Sequence, residues 1–238
     1  MIRTIVYFTI LWVPVILLSP VALIYIILMK LRIGRWMEGL IHRGVSGWAR
    51  LLFKSSGSTF TVSGLENIPV EKGLCYVSNH QSAVDILVVL ATLPETVGFV
   101  AKKQLLHYPF LNLWILAIKS VFIDRGNIKK AVRSIENGVE SLRRGNSMII
   151  FPEGTRSKSD ILGPFKGGSI KLATKAEATI IPLTISGSWH VWEERHSISP
   201  ADIRFTVHPP ITTKGLSPEE RKALPDTIAA QIRTALPG

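Results

Sequence analysis

The chain has 238 residues, a formal net charge of +11 and a positive mean hydropathy of +0.29. Nucleic-acid-binding proteins are basic but hydrophilic, so we expect no nucleic-acid partner. A chain that is both basic and apolar is typical of proteins that meet an anionic membrane surface. The single cysteine, Cys75, excludes an intramolecular disulfide, and its apolar neighbours predict a packed thiol rather than a nucleophile.

The first predicted element is an uncharged, apolar stretch over residues 5–29. As a helix it would be about 37 Å long, against a hydrocarbon core of about 30 Å. Pro14 and Pro20 each remove a backbone donor and favour a kink, so one spanning helix and two short helices dipping into one leaflet are both open. Lysines and arginines follow this stretch, which predicts that the rest of the chain lies on the cytoplasmic face of the membrane.

Residues 36–53 carry apolar side chains at helical spacing, and Arg35, Arg43 and Arg50 lie on the same segment. This pattern is typical of an interfacial helix or of a helix docked on the body of the domain, and both interpretations stay open. Small polar residues at 55–58 then mark a predicted junction. We expect a hydrophobic and interfacial membrane anchor over residues 1–55 and a catalytic domain over residues 56–238.

The catalytic domain is predicted to alternate strands and helices. The predicted strands are residues 74–78, 97–101, 121–123, 148–151 and 179–185. The predicted helices are residues 82–93, 111–118, 127–144, 168–176 and 218–236. Strands separated by helices of this length indicate an α/β fold with a mostly parallel sheet flanked by helices.

A first polar cluster, Asn-His-Gln-Ser-Ala-Val-Asp at residues 79–85, lies where a predicted strand runs into a helix. Functional groups of α/β folds are presented at such junctions. His80 could take a proton from a hydroxyl group at neutral pH, and Asp85 could hold its imidazole in the required tautomer. The alternative for Asp85 is a capping box with Ser82 that satisfies only the helix terminus, and for His80 a core or loop histidine.

Two further clusters follow predicted strands. In Phe-Ile-Asp-Arg at residues 122–125, the guanidinium of Arg125 is suited to a phosphate group, and the alternative is a surface pair with Asp124 that contributes little. In Phe-Pro-Glu-Gly-Thr-Arg-Ser at residues 151–157, Gly154 permits a tight turn while Thr155 and Arg156 offer donors to an anion. A carboxylate at Glu153 would be unfavourable there unless it pairs with a base or binds a substrate hydroxyl.

In order and spacing, these three clusters and Ile-Pro-Leu at residues 181–183 resemble the four sequence blocks of the glycerolipid acyltransferase family. The resemblance covers residues 60–188, and the Pro-Glu-Gly-Thr-Arg block is highly specific. It implies a glycerol-3-phosphate acyltransferase-like fold. It also implies transfer of an acyl group from acyl-CoA or acyl-carrier protein to the sn-2 hydroxyl of 1-acyl-sn-glycerol-3-phosphate, as in bacterial members, with no metal or other cofactor.

The resemblance also implies roles for individual residues. His80 is the implied general base, supported by Asp85. The implied ligands of the acceptor, lysophosphatidic acid, are Arg125, Glu153, Gly154, Thr155, Arg156 and Lys102. Two alternatives stay open: a related enzyme that acylates another lysolipid, such as a lyso-ornithine lipid, and a non-enzymatic membrane protein that binds lipid.

Overall fold

The computed structural model describes residues 1–124, 126–166 and 168–237. Its strands are β1 (Thr59–Ser63), β2 (Cys75–Ser78), β3 (Gly98–Lys102), β4 (Val121–Ile123), β5 (Met148–Ile150), β6 (Ile180–Ser186) and β7 (Asp202–Val207). They form one seven-stranded sheet in the order β1-β7-β6-β2-β5-β3-β4. β6 and β7 pair antiparallel, and every other pair of neighbours is parallel. The predicted mixed α/β fold with a mostly parallel sheet is confirmed.

The α-helices are α1 (Ile2–Leu17), α2 (Ser19–Lys30), α3 (Glu38–Ser56), α4 (Asp85–Thr92), α5 (Leu111–Ala117), α6 (Ile128–Arg143), α7 (Lys171–Ala176) and α8 (Pro218–Arg233). Local chemistry explains where two of them begin. The side chain of Asn127 accepts the backbone N–H of Lys130 at the start of α6. A capping box between Ser217 and Glu220, with Pro218 in the first turn, starts α8.

The sheet is covered on both faces because successive side chains of its strands point to opposite sides. In β2, Tyr76 packs in a cluster with side chains of α1, α3 and α4, whereas Cys75 and Val77 pack with side chains of α6, α7 and α8. Cys75 is fully buried, as expected, and burial raises the pKa of its thiol to about 12. Such a thiol is protonated at neutral pH and therefore a poor nucleophile.

Pro182 of the fourth block lies inside the sheet although proline has no backbone N–H to donate. β6 is an interior strand, and Pro182 pairs in register with Val77 of β2. On its other side, the carbonyl of Pro182 accepts the N–H of His208 at 2.9 Å, and the antiparallel ladder with β7 begins at the next pair, Leu183 with Val207. The N–H that proline lacks therefore falls where the β7 ladder ends, so no interior hydrogen bond is lost.

The N-terminal apolar stretch forms two helices, α1 and α2, which meet at Leu18. Among the described residues, no single helix is both long enough and apolar enough to cross a membrane. The two helices meet those criteria only as a pair, which is bent by 47° at the break. The membrane anchor, the division of the chain at residue 55 and the cytoplasmic orientation stay predictions.

α3 is docked on the domain, since Ala49, Leu52 and Phe53 belong to the core beneath the sheet. Its outer side still exposes Leu40 and Leu51. The helix therefore has the packing of a docked helix and also carries exposed apolar side chains, so neither interpretation of residues 36–53 stands alone.

α1 packs on α3 and on the part of the chain that carries the sheet. Tyr7 is buried in the core under α3 and the sheet, and the ring of Phe8 meets that of Trp192 edge to face, with centroids 5.3 Å apart. The indole N–H of Trp48 donates to the carbonyl of Ile10 at 2.9 Å. These contacts fix α1 against α3 and against the segment that follows β6.

Candidate active site

The loop between β2 and α4 is fixed to the neighbouring strand β6. The side-chain amide of Asn79 donates to the carbonyl of Ile185 at 2.7 Å and accepts the N–H of the same residue at 2.8 Å. The pairing satisfies the backbone N–H and carbonyl of Ile185 just beyond Ser78 and Leu183, where the ladder between β2 and β6 ends, and it buries the Asn79 amide with both of its groups bonded. It sets the position of the next residue, His80.

His80 is held by a buried carboxylate. Asp85 is fully buried, and its Oδ2 lies 2.8 Å from Nδ1 of His80. The same oxygen accepts the backbone N–H of Gln81 at 2.7 Å and that of Ser82 at 2.9 Å, while Oδ1 accepts the hydroxyl of Ser188. An acceptor with this many donors favours the Nδ1–H tautomer, which leaves Nε2 of the imidazole as the basic nitrogen.

The capping-box interpretation of Ser82 and Asp85 is met in part. The hydroxyl of Ser82 accepts the N–H of Val84 at 3.0 Å and donates to Glu193, whereas the N–H of Asp85 donates to the backbone carbonyl of Ser82. Asp85 does accept the backbone N–H of Ser82, and through the same carboxylate it binds His80, so the residue orders the loop and the imidazole together.

The imidazole of His80 also stacks on Phe151, with ring centroids 4.1 Å apart and planes 21° apart. Its side chain is 17% exposed, so a substrate hydroxyl can reach the ring. Two contacts, one at the ring edge and one at the ring face, therefore fix an imidazole that stays open to solvent. Such fixed but accessible geometry is what a general base requires.

The third block forms a turn directly after β5. Gly154 has φ +70°, and a side chain there would bring its Cβ to 2.7 Å from the ammonium nitrogen of Lys166. The left-handed backbone conformation is what favours glycine here, since the flexible end of the Lys166 side chain can move away from an added Cβ. The next two residues, Thr155 and Arg156, are exposed.

Glu153 points into the protein, where its carboxylate joins two loops. It accepts the N–H of His80 at 2.7 Å and that of Gly163 at 2.9 Å. Burial raises the pKa of this carboxyl above its ordinary value, and the two N–H groups oppose that effect only in part. The geometry gives Glu153 a positioning role beside His80, and its direct contact with an acceptor stays a prediction.

The first and third blocks are joined by their backbones. The N–H of Ser157 donates to the carbonyl of His80 at 2.8 Å, and the N–H of Lys158 donates to that of Gln81 at 3.1 Å. Arg156 is therefore the immediate neighbour of Ser157, which is hydrogen-bonded to His80. The structure brings the predicted base and the predicted phosphate-binding turn together at the carboxyl ends of β2 and β5.

Two predicted residues remain, and the structure describes one of them. Lys102 is exposed at the end of β3, and Arg125, which follows β4, lies outside the described residues. The ammonium of Lys103 pairs with Asp124 at 3.2 Å and lowers the pKa of that carboxyl. Asp124 is therefore engaged by Lys103, whereas the suggested pair between Asp124 and Arg125 stays a prediction.

Two site residues, Ser188 and Glu193, were not predicted. Gly187 turns the chain out of β6 with φ +84°, where a Cβ would lie 2.3 Å from the carbonyl oxygen of Asp202. This turn brings Ser188 onto Asp85 and Glu193 onto Arg156. The sequence signal for either residue is weak, because each lies outside the four blocks and forms contacts only with distant parts of the chain.

The family model that matches this chain is named Acyltransferase, and it covers residues 59–186. The 1-acyl-sn-glycerol-3-phosphate acyltransferase of Borreliella burgdorferi is 32% identical over 178 residues, which are 74% of this chain and 71% of the relative. The enzyme of the same name from Cocos nucifera is 33% identical over 218 residues, 90% of this chain and 69% of the relative.

A solved structure is similar over nearly the whole chain. The crystal structure of the 1-acyl-sn-glycerophosphate (LPA) acyltransferase PlsC from Thermotoga maritima matches with a TM-score of 0.84 at 28% identity. The match covers 98% of this chain and 92% of the other. It therefore includes the N-terminal helices as well as the sheet.

Proposed function

Because this chain belongs to the acyltransferase family, we propose that it transfers a fatty acyl group to the sn-2 hydroxyl of 1-acyl-sn-glycerol-3-phosphate and so forms phosphatidic acid. The donor is a thioester, acyl-CoA or acyl-carrier protein. The relatives named for this acceptor and the likeness to the Thermotoga maritima enzyme support the choice of acceptor.

One observation carries the proposal: the accessible imidazole of His80 is bound at Nδ1 by the buried carboxylate of Asp85, 2.8 Å away. The carboxylate holds the ring in the Nδ1–H tautomer and stabilises the imidazolium that forms when Nε2 takes a proton. A lipid-binding protein without catalysis would not need this pair.

The reaction follows as a direct transfer. Nε2 of His80 takes the proton of the acceptor hydroxyl while the oxygen attacks the carbonyl carbon of the thioester. A tetrahedral intermediate forms and collapses as the bond from carbon to sulfur breaks. The thiolate leaves and receives the proton from the imidazolium, so the base is restored and no covalent enzyme intermediate is required.

The phosphate of the acceptor is proposed to bind at the turn after β5. A guanidinium binds phosphate bidentately, and the turn at Gly154 allows close approach of the backbone. Arg156 and Thr155 are exposed at this turn. The turn lies beside His80, because the N–H of Ser157 donates to the carbonyl of His80. Lys102 at the end of β3 and Arg125 of the second block complete the set of proposed phosphate ligands.

We place the enzyme at the inner membrane of a bacterium, with its catalytic part on the cytoplasmic side. The support comes from the apolar α1 and α2 and from three basic residues, Lys30 at the end of α2 and Arg32 and Arg35 after it. The acceptor and the product are themselves membrane lipids, so a site beside such helices shortens the path of both.

The test is thiol release from oleoyl-CoA by purified protein in detergent, with and without lysophosphatidic acid. We expect acceptor-dependent release, and we expect His80→Ala to lower kcat at least about 100-fold because general base catalysis contributes a factor of roughly 10² to 10⁴. The matched control is His42→Ala on α3, which belongs to none of the four blocks and should keep its activity within about twofold.

The outcomes separate the alternatives. If oleoyl-CoA is not consumed, the same assay with acyl-carrier protein tests the other donor, and other lysolipids, including a lyso-ornithine lipid, test the acceptor. Near-normal transfer by a folded His80→Ala variant would overturn the assignment of the base. Lipid binding without consumption of either thioester would favour the non-enzymatic alternative.

A further inference from the structure

Glu193 is a buried carboxylate that joins two loops of the active site. Its side chain is only 3% exposed. Its Oε1 lies 2.9 Å from Nη1 of Arg156 and accepts the backbone N–H of Ala83 at 2.9 Å, while its Oε2 accepts the hydroxyl of Ser82. The residue therefore connects the arginine of the third block to the loop that carries His80.

We propose that Glu193 is a positioning residue that orients the guanidinium of Arg156 toward the phosphate of the acceptor. This inference rests on the proposed function and extends it, because it adds a residue outside the four blocks to the acceptor site. Glu193 acts through Arg156 and does not itself touch the substrate.

The geometry of an arginine supports this role. A guanidinium has five N–H donors in one plane, and Glu193 engages it at Nη1. The other edge of the plane keeps donors suited to the oxygens of a phosphate. Since the side chain of Arg156 is 42% exposed, an arginine without this carboxylate would sample several rotamers, and ordering it would oppose binding of the acceptor.

The opposite role, a carboxylate that competes with phosphate for Arg156, fits the contacts poorly. To release Arg156, a competing carboxylate would have to move or become protonated when the phosphate arrives. Glu193 is held in place by Ser82 and Ala83 from the loop beneath it. A buried carboxylate that lost its cation would also be strongly unfavourable, so the ion pair is expected to persist when the acceptor binds.

The two roles predict opposite effects of Glu193→Gln on the apparent KM for lysophosphatidic acid. The amide keeps the size of the side chain and an oxygen acceptor but removes the charge that fixes Arg156. If Glu193 positions Arg156, the apparent KM for lysophosphatidic acid rises about tenfold while kcat stays within about twofold, since mainly acceptor binding is lost. If Glu193 competes with phosphate, KM falls.

A double-mutant cycle with Arg156→Gln tests whether Glu193 acts through the arginine. We expect Glu193→Gln to lower kcat/KM about tenfold in the wild-type background and to have no further effect in the Arg156→Gln background. A general structural defect would lower activity in both backgrounds. The matched control is Glu194→Gln, since the neighbouring carboxylate pairs with His190 at 3.1 Å and lies 3.7 Å from Arg195.

The inference is overturned if KM for lysophosphatidic acid is unchanged or lower, if the loss falls on kcat alone, or if the loss persists in the Arg156→Gln background. Should Glu193→Gln fail to fold, Glu193→Asp is judged by the same criteria, because it keeps the charge but withdraws it by one methylene group. Failure of the proposed function is a separate result, in which wild-type protein transfers no acyl group to lysophosphatidic acid.

Discussion

Two regions at the carboxyl ends of the strands differ in how their polar side chains are held. At the ends of β2 and β5, Asp85 and Glu153 are buried, and each accepts hydrogen bonds from several backbone or side-chain donors. At the ends of β3 and β4, Lys102 is exposed, and Lys103 and Asp124 form one partly exposed ion pair.

Under the proposed mechanism, the difference shows which part of the reaction needs groups of fixed orientation. A base must meet a hydroxyl at one angle and distance, so its orientation is set in advance by buried bonds. A doubly charged phosphate is attracted from many directions, so exposed lysines can bind it without a fixed geometry. Arg156 stands between the two regions, because its charge is exposed while its partner Glu193 is buried.

We call the ends of β2 and β5, with Asp85 and Glu153, the fixed region, and the ends of β3 and β4, with Lys102 and Lys103, the open region. The largest effect is expected from Asp85→Asn in the fixed region. The amide removes the charge that stabilises the imidazolium of His80, so kcat should fall about 100-fold or more. The free energy of unfolding should fall by about 2 kcal/mol, because hydrogen bonds to a charged group are replaced by weaker ones. Steady-state kinetics and chemical denaturation measure the two effects. Asp226→Asn, the same change at an exposed position of α8, should alter neither.

A smaller effect is expected in the open region, from Lys102→Ala. An exposed charge contributes little and is screened by salt, so KM for lysophosphatidic acid should rise only about threefold at low ionic strength. The difference from wild type should shrink as salt is added, with kcat unchanged. Lys222→Ala on α8 is the control for loss of one exposed lysine. A large loss of kcat would show that Lys102 belongs to the fixed region instead.

The smallest effect concerns His208, a buried imidazole that tests whether fixed hydrogen bonds outside the site also carry a pH dependence. The hydroxyl of Thr184 donates to the carbonyl of Ile232 and lies 2.8 Å from Nε2 of His208. Burial lowers the pKa of His208 below 6.5, the ordinary value of an imidazole. The unfolded chain therefore binds the proton more readily, and the stability that neutral His208 contributes is present above pH 6.5 and lost as the pH falls through and below that value.

The measurement is the free energy of unfolding, from chemical denaturation, of wild type and of His208→Gln between pH 7 and pH 5. Wild type should lose stability more steeply than the variant over this range, by no more than about 1.4 kcal/mol per pH unit for one group. His107→Gln, at an exposed histidine, should keep the wild-type slope. Equal slopes for wild type and His208→Gln would show that His208 does not set this pH dependence.

Much of the fold could be predicted because its strands are short buried runs between helices of ordinary length. The strand at residues 121–123 was predicted with the observed bounds, and the others within a few residues. β1 and β7 were not predicted. In β7, buried Ile203, Phe205 and Val207 alternate with more exposed residues. This strand follows an irregular segment and contains none of the four sequence blocks.

The candidate site was predictable only where its residues form compact motifs. His80, Asp85 and Arg156 lie in blocks whose spacing is informative, and the structure brings all three into one bonded group. Glu193 meets Ala83, which lies 110 residues earlier in the chain. Such a contact exists only after β6 and its following turn are in place, so a single glutamate outside any motif has no local signature.

The packing of α1 on α3 and Trp192 has a consequence for the design of a shorter, more easily purified form of this enzyme. Removing residues 1–55 would take away Tyr7 and Phe8 together with the core side chains of α3, and the ring of Trp192 would lose its contact with Phe8. Trp192 is the immediate neighbour of Glu193, so the cut would also disturb the proposed acceptor site. Improved handling is better sought by replacing the exposed apolar side chains of α1 and α2, such as Leu17 and Ile24, than by shortening the chain.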